Sequence, residues 1–125
     1  MPKARVSYIG DFDFGIPPQI IIADDDYLNR LALRTLIKLC NVDALSLTFL
    51  SENGSQTFNA CKQFKLDNFK LIFMDVNMPE MDGLEASRAI KKYFMEKNAK
   101  PPLIIGITGD LDQETINRGK KAGMD

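Results

Sequence analysis

The chain has no histidine. That absence removes Ser-His and Cys-His nucleophile pairs and takes away the commonest nitrogen ligand of zinc, so neither that catalysis nor a zinc site is expected. Cysteine is scarce. Cys40 and Cys61 both fall on expected helices and read as two buried thiols of a reducing compartment rather than as a bridge. No apolar run approaches the roughly 18 residues that a bilayer crossing needs. Met1-Pro2-Lys3-Ala4-Arg5 is followed by no apolar stretch, so no secretory signal is read there. A formal net charge of −1 gives no electrostatic case for nucleic acid or an anionic membrane. Internal repeats and low-complexity tracts are absent, and no Gly-rich turn follows the first apolar run, which excludes a dinucleotide-binding fingerprint.

What is present is an ordinary globular composition, 45% hydrophobic and 26% charged over 125 residues, enough for one domain with a core. Residues 1–18 read as an extension or linker punctuated by Gly10, Gly15, Pro17 and Pro18, in which Arg5 to Ile9 alternates weakly. Gln19 to Ala23 is a β-branched run and reads as a buried strand. A helix is expected over about 27–40, with Leu28, Ala32, Leu36 and Leu39 on one face and Asn29-Arg30 at its exposed start. Ala44 to Leu50 alternates as an edge strand, with Leu45, Leu47 and Phe49 on one side. A second helix follows over about 55–65, carrying Phe58, Cys61 and Phe64. Leu71 to Met74 reads as a strand buried on both faces. A third helix covers about 84–97 with Ala86, Ala89, Ile90 and Phe94 inward. Leu103 to Ile107 is a fourth buried strand, and a last helix covers about 111–122. Four strand-helix repeats imply an α/β, doubly wound parallel sheet with right-handed crossovers.

In such a sheet the carboxyl ends of the strands form the ligand-binding edge. Asp24 and Asp25 leave the first strand, Asp75 leaves the third and Thr108 leaves the fourth. If the first and third strands are neighbours, three carboxylates converge and need a counter-charge. Carboxylates, water and an incoming phosphate suit Mg²⁺. An Asp so placed can attack phosphorus and form an acyl phosphate, with Thr108 bonding a phosphoryl oxygen and Gly109 leaving an open approach. Blander roles exist for each: Asp24 to Asp26 can serve a helix N-terminus, as Asp26 is expected to do, and Thr108 and Gly109 can be plain strand-end and turn residues.

Ile22-Ala23-Asp24-Asp25-Asp26-Tyr27-Leu28-Asn29-Arg30 resembles the acidic segment of the response-regulator receiver domains of two-component signalling. Met74 through Gly83 resembles their phosphoacceptor loop, Ile105-Gly106-Ile107-Thr108-Gly109 their switch-threonine strand, and Ala122-Gly123-Met124-Asp125 the turn before their last strand. The resemblance covers 19–125 and implies a flavodoxin-like receiver fold with strand order 2-1-3-4. It implies Asp75 as phosphoacceptor, Thr108 as switch residue, and Asp24, Asp25, Asp75 and the backbone carbonyl of Asn77 as Mg²⁺ ligands, Asp25 directly and Asp24 through water. It also implies a histidine kinase or histidine phosphotransfer protein as donor, no enzyme turnover by this chain and a cytoplasmic setting; a piece of a hybrid histidine kinase and a stand-alone shuttle both fit, and the linker-like residues 1–18 favour the hybrid kinase.

Receivers continue with a fifth strand bearing a Lys-Pro pair and a fifth helix, which this chain does not carry; Lys120 and Lys121 precede the final turn and do not replace that lysine. Strand four is then expected to be an exposed apolar edge, open to dimer formation or swapping. A receiver cut short at its C-terminal end, completion by another chain, and a degenerate domain acting as an interaction module all account for this. An aspartyl-phosphate phosphohydrolase is the other reading, disfavoured because Asn77 stands where such enzymes place a second Asp.

Overall fold

The computed structural model describes residues 17–40, 43–108 and 112–125. Its elements are β1 (Ile20–Ala23), α1 (Tyr27–Leu39), α2 (Ala44–Leu47), β2 (Thr48–Ser51), α3 (Gly54–Gln63), β3 (Leu71–Asp75), α4 (Gly83–Glu96), β4 (Leu103–Ile107) and α5 (Gln113–Lys121). The strands form one parallel sheet, as the alternation of strands and helices implies, in the order β2-β1-β3-β4 that the family resemblance implies. The readings of residues 1–16 and of Gly109 lie outside the described residues. Pro18 belongs to the fold: it is buried, and its carbonyl accepts from the Asn68 amide side chain (2.6 Å).

One face of the sheet carries the core. Ile21, Ile72, Met74 and Ile104 are completely buried there against Ala60, Cys61, Ala86, Ile90 and Phe94 of α3 and α4. Each such aliphatic side chain contributes about 1.5–3 kcal/mol by leaving water. Phe49, Phe64 and Phe69 close one end with edge-on ring contacts of 4.9–6.3 Å between centroids. Gly106 sits under Met124, whose sulfur lies 2.6 Å from where a Cβ would stand, so the final turn folds down onto β4. Asp125 extends this contact: its amide donates to the Ile104 carbonyl (2.7 Å) and its carboxylate accepts from the Ile104 amide (2.9 Å).

The other face differs from expectation. Leu71 and Phe73 are only half-buried, so β3 is fully covered on one side, and in β4 only Ile104 is buried, with Leu103 and Ile107 exposed. β4 is an edge strand, as is β2, and among the described residues no strand lies beyond β4. The expected inward stripe of α1 in fact points outward: Leu28, Leu36 and Leu39 are 59–75% exposed. The helix instead turns Arg30, Leu33, Arg34 and Ile37 toward the sheet. Leu spacing alone could not distinguish the two stripes, because both recur at helical intervals.

β2 is also shorter than read. Residues 44–47 form a helical turn, because Asp43 accepts from the Ser46 amide and the Thr48 hydroxyl bonds back to the Ala44 carbonyl. Leu45 is consequently exposed. Asp26, Asp43, Asn53, Asp82 and Asp112 all cap helices with side-chain oxygens. Cys61 is buried as expected, and burial pushes its thiol up to about 12. Cys40 is not buried; it closes the exposed end of α1, and both cysteines are free.

The covered face of the sheet and the outward stripe of α1 give a direct test. Ile72→Ala is expected to destabilise the chain by about 3 kcal/mol through cavity formation. Leu36→Ala, on the outward stripe, is expected to change stability by less than about 0.5 kcal/mol. Urea unfolding of both variants checks this; a large loss in Leu36→Ala would contradict the orientation of α1.

Candidate functional site

Because β1 and β3 are parallel neighbours with Ala23 opposite Met74, their polar ends lie side by side. Asp24 and Asp25 leave β1, and Asp75 ends β3. One carboxylate oxygen from each of the three lies within 4.8 Å of the other two. Asp25 is exposed, while Asp24 and Asp75 are half-buried at the rim.

The backbone of Asp24 is held on both sides. Its amide donates to the Ser51 carbonyl at the end of β2 (3.1 Å), and its own carbonyl accepts from Arg30 Nη1 (2.8 Å). Its side chain accepts from the Asp26 amide (2.9 Å), and Asp26 accepts from the Leu28 amide (2.8 Å), capping α1 as expected. Asn29 is exposed, but Arg30 is only 8% exposed, so the expectation of an exposed pair fails at Arg30. Its helical spacing from Arg34 and Ile37 was the available signal, obscured by the more hydrophobic leucine stripe.

The phosphoacceptor-like loop is held as tightly. The Val76 amide donates to the Ile107 carbonyl (3.1 Å), and the Gly83 amide donates to the Val76 carbonyl (2.9 Å). A Cβ on Gly83 would stand 2.1 Å from the Asp75 carbonyl oxygen, so α4 can start this close to Asp75 only with glycine there. Met81 is tied to the start of α3, its carbonyl accepting from the Gly54 amide (2.8 Å). Glu80, between these anchors, holds a left-handed φ of 66°.

Asn77 is exposed, and its amide donates to Asp75 Oδ1 (3.3 Å). Thr108 is half-buried and directly follows Ile107, the register partner of Asp75, which brings it to the same sheet edge. Lys120 and Lys121 are exposed on the last turn of α5. Lys91 pairs with Asp125 (3.1 Å), beside Ile104 near the amino end of β4.

Partial burial, followed by the negative charge of Asp24, pushes the Asp75 carboxyl up to about 6; the Asn77 amide opposes this and Asp25 adds to it. In the unfolded chain an Asp titrates near 4. Between about pH 4 and 6 the unfolded chain therefore binds fewer protons than the folded one, so stability falls as pH rises through this window and the penalty is complete above it. In chelator-treated protein, Asp75→Asn is expected to raise Tm at pH 7.5 and to lose that advantage near pH 4. A Tm gain that is the same at both pH values would contradict the carboxylate repulsion.

Residues 20–125 match the sequence profile of the response regulator receiver domain. The chain is 30% identical over 124 residues to the sensor protein GacS of Pseudomonas syringae pv. syringae, covering 99% of this chain and 13% of that protein. It is 31% identical over 131 residues to histidine kinase CKI1 of Arabidopsis thaliana, covering 98% of this chain and 12% of that protein. The solved receiver domain of CKI1, complexed with Mg²⁺ and BeF₃⁻, aligns with a TM-score of 0.72 at 26% identity, over 88% of this chain and 79% of that one. The Saccharomyces cerevisiae Ssk1 receiver domain, crystallised with the histidine phosphotransfer protein Ypd1, shares the fold at a TM-score of 0.75 and 20% identity, over 90% and 78% of the two chains. The profile match takes in the whole sheet and every helix around it: this chain belongs to the response regulator receiver domain family.

Proposed function

We propose that the chain is the phosphoacceptor of a phosphorelay, in which Asp75 takes a phosphoryl group from a phosphohistidine and Mg²⁺ is required. The observation that carries this reading is the convergence of Asp24, Asp25 and Asp75 within 4.8 Å in a member of the receiver family. The donor set fits a hard cation: it is all oxygen, at a half-exposed rim where water can complete the coordination, with no histidine in the chain. Asp24, Asp25, Asp75 and the Asn77 backbone carbonyl are the groups that would hold it. When bound, the ion neutralises charge on the carboxylates and on the transferring phosphoryl oxygens.

The chain's own residues carry the remainder. A carboxylate oxygen of Asp75 attacks phosphorus; the new O–P bond forms as the P–N bond to the donor imidazole breaks, with the electron pair leaving on nitrogen. The Thr108 hydroxyl donates to a phosphoryl oxygen. The donor imidazole belongs to a histidine kinase or histidine phosphotransfer protein, since this chain contains none. Similarity to histidine kinases of which the chain spans 13% and 12% supports membership of a hybrid kinase. No helix among the described residues is long and apolar enough to cross a membrane, and the proposed setting is the cytoplasm. The chain receives a group rather than turning over a substrate.

Incubation with a small acyl phosphate and Mg²⁺ is expected to add one phosphoryl group by intact mass, and chelation is expected to suppress it. Asp75→Asn is expected to abolish the label. Labelling that persists in that variant would remove Asp75 as the acceptor.

A further inference from the structure

Arg30 is the only buried charged residue among the described residues. A guanidinium keeps its charge at any working pH, so burying it is costly unless it is paired. Its groups point to a purpose. Nη1 donates to the carbonyl of Asp24 (2.8 Å), and the guanidinium lies 5.5 Å from the centre of the Tyr27 ring. That carbonyl belongs to the peptide unit joining Asp24 to Asp25. A peptide unit is planar and rigid, so fixing its oxygen fixes the direction in which the Asp25 backbone leaves it. On the other side of Asp24, the preceding peptide unit is held by its amide on the Ser51 carbonyl (3.1 Å). Both peptide planes flanking Asp24 are thus clamped, one by β2 and one by α1.

We infer that Arg30 is a positioning residue for the carboxylate cluster: by holding the Asp24–Asp25 peptide plane it aims both carboxylates at the cation they share with Asp75. This rests on the reading of the cluster as a Mg²⁺ site. Arg34 provides an internal comparison. It lies one turn further along the same helix and is also partly buried, but its Nε donates to the Thr48 hydroxyl of β2 (3.0 Å) and not to the acidic loop. Loss of either arginine removes a partly buried hydrogen bond on the sheet side of α1; only loss of Arg30 frees the acidic peptide.

The test is calorimetric titration of Mg²⁺ into the chain and into Arg30→Met, Arg30→Lys and Arg34→Met, with thermal unfolding of each in chelator. Arg30→Met is expected to weaken Mg²⁺ binding by about tenfold or more, the usual effect of losing a group that orients a metal ligand. Arg34→Met is expected to lower the Tm of the metal-free protein while leaving the Mg²⁺ Kd unchanged. Arg30→Lys, with one cationic donor but no fork, is expected to fall between wild type and Arg30→Met. Unchanged affinity in Arg30→Met, or equal loss in Arg30→Met and Arg34→Met, overturns the role of Arg30. If Arg30→Met fails to fold, an affinity in Arg30→Lys equal to wild type overturns it. Failure of the wild-type chain to bind Mg²⁺ is a different result, which removes the metal-site reading itself and the inference with it.

Discussion

Three carboxylates held within 4.8 Å of one another repel, and that repulsion opposes the folded state until a proton or a cation joins them. Parallel pairing of β1 with β3 makes this unavoidable, since it brings Asp24, Asp25 and Asp75 to one edge. The carboxyl of Asp75 is raised first by its partial burial and then by the negative charge of Asp24, with Asp25 adding to it. A chain that evolved for stability alone would have one such carboxylate replaced by an uncharged group. Retaining all three makes sense where a cation is part of the working state, which is the basis for reading the cluster as a Mg²⁺-dependent phosphoacceptor.

The surrounding structure opposes relaxation of the cluster. Asp24 is clamped by Ser51 and Arg30, Asp75 is followed by a loop tied to β4 through Val76, and α4 begins against the Asp75 backbone at Gly83. The fully covered face of the sheet supplies the rigidity for this, with Ile72 and Met74 of β3 immobilised under α3 and α4. The half-covered face supplies much less. Asp75 therefore stands at the end of a strand that is firmly packed on one side and accessible on the other.

Much of this was readable from residues. The β-branched runs at 19–23 and 103–107 and the unbroken apolar stretch at 71–74 mark strands, and the acidic residues that end the first and third mark the site. Alternation of strands and helices implies the parallel sheet, and the family resemblance implies its strand order. What was not readable depended on tertiary choice. Leu28, Leu36 and Leu39 form the more hydrophobic stripe of α1, yet the sheet takes Arg30, Arg34 and Ile37, because hydrogen bonds to Asp24 and Thr48 compensate the two arginines. Residues 44–47 alternate like a strand, but the Asp43 cap and the Thr48 hydroxyl satisfy a helical turn first. Arg30 reads as exposed from the sequence because charge in a helix is ordinarily a surface signal.

Family membership makes phosphoryl chemistry the natural use of the cluster, but the claim that the three carboxylates form one cation site is independent of that chemistry. The most direct measurement is calorimetric titration of Mg²⁺ into wild type and Asp25→Asn at pH 7.5, where Asp75 is ionised. The expected result is a single site in wild type that is severely weakened in the variant, although the variant has lost only one charge and keeps its fold. Binding that is absent from wild type, or undiminished in Asp25→Asn, would contradict a shared cation site.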